Sequence, residues 1–232
     1  MYSFDSVIRY SEVDLRAKVN VFELVNYFQD CSTFQSEELG GGVDALHHKN
    51  VTWVLANWNI QVLRYPNLGE KVTVGTFPYS FRDCFGMRNY IMTDKDGNTL
   101  AMADSLWTLI DYEKGNIVKI DDDIRKIYQT EEKLPMNYLR GRIKVPEELK
   151  KMDSVKIAYH CLDSNMHVNN AHYLRIALDN IEIKDYEQIR VEYRKQVRKD
   201  DILTPYVGKN EVGTVVMLKN EDGENCNVME FR

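Results

Sequence analysis

Two spacings of apolar residues run along this chain, and each occurs in both halves. Val21, Leu24, Val25, Phe28 and Cys31 recur at intervals of three and four, which marks one face of a helix. Asn20-Val-Phe-Glu23 ahead of them has capping-box form with Asn as the cap, and Gly40-Gly-Gly42 stops the run. Residues 2–14 read as a short strand ending near Asp14. Residues 53–65, 71–77, 84–93 and 99–111 are rich in branched and aromatic side chains and read as strands. Pro66-Asn-Leu-Gly69 and Asp96-Gly97 supply turns, the second in hairpin form. Strand, helix and antiparallel meander is the expected order.

Residues 113–150 break this pattern. They hold Asp121-Asp-Asp123, Glu131-Glu132, Pro135, Pro146 and Glu147-Glu148, and predict a charged, solvated connector with one short helix. The pattern then returns. At one constant offset Ile157, Tyr159 and Asp163 fall on Ile8, Tyr10 and Asp14, and Val168-Asn169 falls on Val19-Asn20. Asp222-Gly223 repeats Asp96-Gly97 as the last hairpin turn. One fold is thus expected twice, a long helix against an antiparallel sheet, with residues 1–112 and 151–232 as the units and 113–150 between them.

The copies differ in their polar residues. Asp163, Asn165 and His167 alternate, and an extended backbone would point all three one way. Asn169 or Asn170 can then cap a helix running to about Ile181, with its unpaired backbone donors beside the trio. In the first copy Arg16 and Lys18 stand in place of Asn165 and His167, so one active site per chain is expected. His167 titrates near neutrality and could bind a carbonyl or move a proton. Asp163 could orient a base or polarise water, or simply cap the turn. Asn165 could position water or a carbonyl, or form an Asx-turn.

Other chemistries find less support. His160 and Cys161, adjacent on a strand, would face opposite ways, against a nucleophile pair. The histidines lack HxxxH or CxxC spacing, so no metal is expected. There is no GxSxG elbow, P-loop or GxGxxG. Residues 189–197 read as a strand with Ile189, Val191, Tyr193 and Val197 on one face. Arg190, Arg194, Lys195, Arg198 and Lys199 form the densest basic cluster, either a solvated edge or a surface for an acidic carrier or phosphate.

Length and composition narrow the setting. The 232 residues suit one large domain or two small ones, and 44% hydrophobic with 28% charged residues is a globular balance. No apolar run is long enough to span a membrane, and Met1-Tyr-Ser-Phe-Asp-Ser lacks the basic and apolar start of a signal peptide. Cys31, Cys84, Cys161 and Cys226 are scattered and read as free thiols of a reducing cytosol. The expected location is cytoplasmic. A net charge of -6 argues against general nucleic-acid binding.

Asp163-x-Asn165-x-His167-Val-Asn-Asn170-x-x-Tyr173, followed by Glu192-Tyr-Arg-Lys195, resembles the acyl-acyl-carrier-protein thioesterases of plants and bacteria. The segment near Asn20 and Ser105-x-Trp107-x-x-x-Asp111 agree, so the resemblance covers essentially the whole chain. It implies an α+β fold of two tandem hotdog units, each an antiparallel sheet wrapped around a long central helix. It also implies hydrolysis of fatty acyl-carrier-protein thioesters in fatty acid biosynthesis, without a cofactor, by a bacterial cytoplasmic member.

By position the resemblance makes Asp163, Asn165 and His167 catalytic, with the helix start at Asn169 facing the developing oxyanion. The family's further Glu is replaced by Gln196, followed by Val197. Gln accepts no proton as a base, although its carbonyl oxygen can hold a water. Glu192 is four residues away, roughly 13 Å along a strand, and is a poor substitute. The basic cluster would meet the acidic carrier. Phe22, Phe28, Trp53 and Trp58 are either core or walls of an acyl slot. An acyl-CoA thioesterase and a non-catalytic acyl-binding protein are the alternatives, Gln196 favouring the latter. Two units per chain could bury their own sheet edges, so a monomer and a homodimer both fit.

Overall fold

A computed structural model describes all residues, 1–232. The chain forms two compact units, Met1–Ala56 with Ile60–Tyr138, and Asn57–Asn59 with Leu139–Arg232.

In the first unit, β1 (Tyr2–Val7), β2 (Val51–Val62), β3 (Lys71–Arg82), β4 (Phe85–Asp94) and β5 (Thr99–Asp111) form a sheet in the order β1-β3-β4-β5-β2. The β1/β3, β3/β4 and β4/β5 pairs are antiparallel. Helix α1 (Val21–Glu38) lies against β3, and short helices α2 (Val43–His48) and α3 (Asp122–Ile127) flank the sheet's strands in sequence. The predicted stripe is the buried face of α1: Leu24, Val25, Phe28 and Cys31 have no exposed surface. Phe28 meets Tyr90 of β4 at 5.4 Å between ring centroids, and the Cys31 thiol donates to the Val74 carbonyl of β3. Burying each large apolar side chain stabilises the fold by about 1.5–3 kcal/mol, which holds this helix more firmly than propensity does. Phe28 and Trp58 are core residues.

Two local expectations are corrected here. The first strand stops at Val7, not near Asp14, because Tyr10–Glu12 winds into a 3-10 turn. Buried Glu12 fastens that turn by accepting from the Arg9 backbone N–H at 2.8 Å and from the Tyr27 hydroxyl at 2.7 Å. Asn20 does occupy the cap position of α1, yet no capping box forms. Its amide donates to the Glu12 carbonyl, and Glu23 accepts from Asn26.

The second unit holds β6 (Lys150–Lys151), β7 (Val155–Lys156), β8 (Gln188–Tyr193), β9 (Ile202–Lys209), β10 (Thr214–Lys219) and β11 (Asn225–Phe231), with α4 (Asn170–Leu178) against β10 and β11. The sheet order is β8-β11-β10-β9-β6, with β7 also paired to β9. Helix α4 ends at Leu178, short of the expected Ile181. Strand β8 ends at Tyr193, short of Val197, because the N–H groups of Arg194 and Lys195 both turn to the Cys226 carbonyl. Within β8 the expected alternation holds. Ile189 and Val191 are buried, and Tyr193 meets Tyr173 of α4 edge-on at 5.6 Å.

The charges of residues 113–150 mostly face solvent, as charge runs do, but its apolar residues do not. Ile120 and Ile124 pack with Leu46 and Leu109 in the first unit. Leu134 and Tyr138 both donate to the side-chain oxygen of fully buried Asn89. Ile143 packs on Val215, Met217 and Val228 in the second unit. Single apolar residues among charges carry no periodicity, so the pattern of the sequence hides this covering role.

Candidate active site

The polar trio is gathered by a turn rather than by a strand, which corrects the expectation of an extended segment. The Asp163 N–H donates to the His167 carbonyl at 2.8 Å, and the Met166 N–H to the Asp163 carbonyl at 3.1 Å. Met166 takes φ +62°, a left-handed value uncommon for a side chain of its length. One carboxylate oxygen of Asp163 accepts from the backbone N–H groups of Asn165 (2.8 Å) and His167 (3.2 Å). Asp163 is therefore the post around which the turn is wound. Leu162 and Val168 close the turn's base as a β-bridge.

The first unit contains the same turn with different equipment. Asp14 bonds Lys18 and Ala17 in the same backbone pattern, its carboxylate accepts from the N–H groups of Arg16 and Lys18, and Ala17 sits at φ +58°. There the Arg16 guanidinium folds back onto Asp14 through two bonds of 2.7 and 2.8 Å. At the matching position of the second unit Asn165 carries no charge to pair with Asp163.

Asn165 is the exception in its turn. Its side-chain oxygen is buried and has no hydrogen-bond partner. Leaving such an acceptor unpaired costs about 1–3 kcal/mol, so the position stands ready for a donor. His167 is half-buried, and burial holds its imidazole below the ordinary value. The Asp163 carboxylate opposes that shift, and the Arg198 guanidinium adds to it. The ring is thus neutral, and able to take a proton, to a lower pH than a free histidine. If neutral His167 is the working form, the acid limb of kcat/KM lies below 6.5. Arg198→Met is expected to move that limb up and Asp163→Asn to move it down, as a pH–rate profile of each variant reads directly. Folding carries the same sign. The unfolded state takes up the proton first, so stability is lost as pH falls from 6.5 through the lower folded value.

Asn169 caps α4, its side chain accepting from the Ala171 N–H at 2.9 Å while its carbonyl accepts from His172. Both of these first-turn donors are engaged within the helix. What α4 offers a neighbouring oxyanion is chiefly the positive end of its dipole.

Gln196 lies on no strand. It is exposed on the segment after β8, and the carbonyl of buried Val197 accepts from the Val168 N–H at 2.9 Å. Each partner in that bond is one residue from Gln196 or His167, so the segment is pinned beside the trio's turn. Glu192 takes no part. It points to the opposite face of β8 from Tyr193 and accepts from the Ile143 N–H and from Arg194. Of the basic cluster, Arg190 donates to the Gly141 carbonyl and lies 4.0 Å from Glu230, Arg194 pairs with Glu192, Lys195 with Glu224 and Lys199 with Asp200. Arg198 alone of the five makes no ion pair through its side chain, although its backbone N–H donates to the Asp201 carboxylate at 2.8 Å. No group of three or more His, Cys, Asp or Glu side chains is placed to share a metal ion. No helix is long and apolar enough to cross a membrane.

A half-buried neutral imidazole, an open amide oxygen and a helix start in one short segment, carried on a helix-and-antiparallel-sheet unit, define a site suited to proton transfer at a polarised carbonyl. Two sequence models of one family match the chain: the acyl-ACP thioesterase N-terminal domain over residues 1–128 and the acyl-ACP thioesterase C-terminal domain over residues 144–231. The chain belongs to the acyl-ACP thioesterase family. It is 26% identical over 229 residues to a chloroplastic oleoyl-acyl carrier protein thioesterase of Arabidopsis thaliana, aligning over 87% of this chain but 62%, about three-fifths, of that relative. The crystal structure of an acyl-ACP thioesterase from Bacteroides thetaiotaomicron superposes with a TM-score of 0.90 at 24% identity, over 99% of this chain and 96% of that one. A DHNA-CoA thioesterase from Staphylococcus aureus matches 54% of this chain and 87% of its own, with a TM-score of 0.51 at 14% identity.

Proposed function

We propose that this chain hydrolyses fatty acyl thioesters of acyl carrier protein to the free fatty acid and the carrier's thiol, as a tandem double hotdog with one active site. The observation that carries the reading is the open, buried oxygen of Asn165 in the same turn as a neutral His167, at the start of α4. A water held by Asn165, and by the Gln196 carbonyl oxygen, gives its proton to His167 as its oxygen attacks the thioester carbon. The dipole of α4 favours the oxyanion of the tetrahedral intermediate. As the C–S bond breaks, the imidazolium returns the proton to the departing thiolate. Asp163 serves by winding the turn and by its charge beside the imidazolium.

The tandem reading is supported by the same wound turn in each unit, and by the match of about half this chain to most of a smaller thioesterase. Four free thiols are consistent with a cytoplasmic setting. Ion pairing leaves Arg198 as the best-suited member of the basic cluster to meet an acidic carrier.

One specific observation favours a second reading. Gln196 is neutral where the family pattern has a carboxylate, which suits an acyl-binding protein without turnover. Free-thiol release from matched sets of acyl carrier protein and CoA thioesters separates the readings. Faster turnover on the carrier-protein set is expected. A preference for CoA substrates would make the chain an acyl-CoA thioesterase. Tight acyl binding with no thiol release from either set would leave the binding protein.

A further inference from the structure

Arg88 of β4 is a cation buried inside the first unit, with 8% of its surface exposed, and it has no part in the chemistry described above. It lies two residues before Tyr90, on the face of the sheet that meets α1. Both N–H groups of its Nη1 are used, one by the Gln35 side-chain oxygen and one by the Thr76 hydroxyl at 3.2 Å. The Thr76 hydroxyl in turn donates to the Asn89 carbonyl at 2.9 Å. The guanidinium carbon lies 5.5 Å from the centre of the Tyr128 ring. No carboxylate pairs with Arg88. The N–H groups of Nε and Nη2 make no hydrogen bond, and neither nitrogen is sealed from solvent.

We propose that the free edge of Arg88 is a binding site for the carboxylate of a small amphiphilic acid. Nε and Nη2 present parallel N–H groups, the edge of a guanidinium that takes both oxygens of a carboxylate at once. Burying a charge without an opposite one is costly, and a bound carboxylate removes that cost. Gln35, Thr76 and the Tyr128 ring solvate the cation but bring no negative charge. Gln35 stands in the last turn of α1, whose negative end favours a cation there without engaging the Nε–Nη2 edge. An aromatic row continues from the guanidinium. Tyr128 meets Phe81 at 6.0 Å between ring centroids, and Phe81 meets Trp53 at 6.4 Å. Phe81 and Trp53 are only half-buried, so their rings can lie along an apolar tail. The fork selects the carboxylate, and the rings select a tail of several carbons. All of these residues belong to the first unit, so the inference does not depend on the thioesterase reading.

Calorimetric titration of the whole chain with octanoate is expected to show binding, and octanol, which has the same tail and no charge, to bind at least tenfold more weakly. Arg88→Met is similar in length and uncharged. It is expected to weaken octanoate binding by about 10–100-fold, the scale of a pair of charge-assisted hydrogen bonds. A second measurement uses the wild type alone and decides the question even where Arg88→Met does not fold. The NMR cross-peak of the Arg88 Nε–H group is expected to shift as octanoate is added and to stay in place with octanol. No octanoate binding at millimolar concentration would overturn the proposal, as would equal binding of octanol. Octanoate held as a product at the His167 turn would leave the Arg88 cross-peak unmoved and would bind folded Arg88→Met as well as it binds the wild type. Either of those results would also overturn the proposal, and neither would touch the thioesterase reading.

Discussion

His167→Ala is expected to lower thioester hydrolysis by about 10²–10⁴-fold, the contribution of a positioned general base. The loss should fall on kcat, because the imidazole acts on the water and the departing sulfur more than on the bound acyl chain. The turn itself should survive. The His167 groups that build it are its backbone N–H, bonded to Asp163, and its carbonyl, bonded to the Asp163 N–H. An alanine keeps both, so the thermal midpoint is expected to stay within a few degrees. The acid limb of the pH profile should also vanish with the imidazole. Turnover that persists in His167→Ala at wild-type rate would show that the proton goes elsewhere and would dismantle the mechanism proposed for this turn.

Gln196→Glu is expected to raise kcat, by about 10²-fold if a carboxylate base is what the wild type lacks. The position is exposed, so the new carboxylate would ionise in the ordinary range and act as a base at neutral pH. It sits one residue from the Val197–Val168 bond and so beside the turn. Glu192, the carboxylate of β8, cannot substitute, because it faces away and is engaged by Ile143 and Arg194. An unchanged kcat in Gln196→Glu would mean that His167 carries the proton alone and that the amide only holds water. The two results together separate a one-base from a two-base site.

Much of the secondary structure and the candidate trio were legible in the order of residues. The stripe from Val21 to Cys31, the hairpin turns at Gly97 and Gly223 and the alternation through Ile189, Val191 and Tyr193 are local patterns with a period, and each became the expected element. Asp163, Asn165 and His167 could be singled out because polar residues of those types, two apart and before a cap, are chemically suggestive by themselves. The misreadings also have local causes. Strand expectations overran at 8–14 and 194–197 because side-chain and backbone bonds from distant residues, Tyr27 to Glu12 and Cys226 to Arg194, ended the ladder.

The sequence by itself determined which residue types stand at the candidate site and that the matching segments 14–18 and 163–167 carry different polar side chains. The tertiary structure alone decided what those residues do to one another. It wound the trio about Asp163 in a turn, left the Asn165 oxygen without a partner, and brought the Gln196 segment to His167 through Val197. It also neutralised most of the basic cluster with Glu192, Glu224, Glu230 and Asp200, and laid Ile120, Ile124 and Ile143 onto their units. Periodicity reports only on neighbours along the chain. Hydrogen bonds, ion pairs and burial are satisfied by whatever lies nearest in space, which for these residues is often far away in sequence.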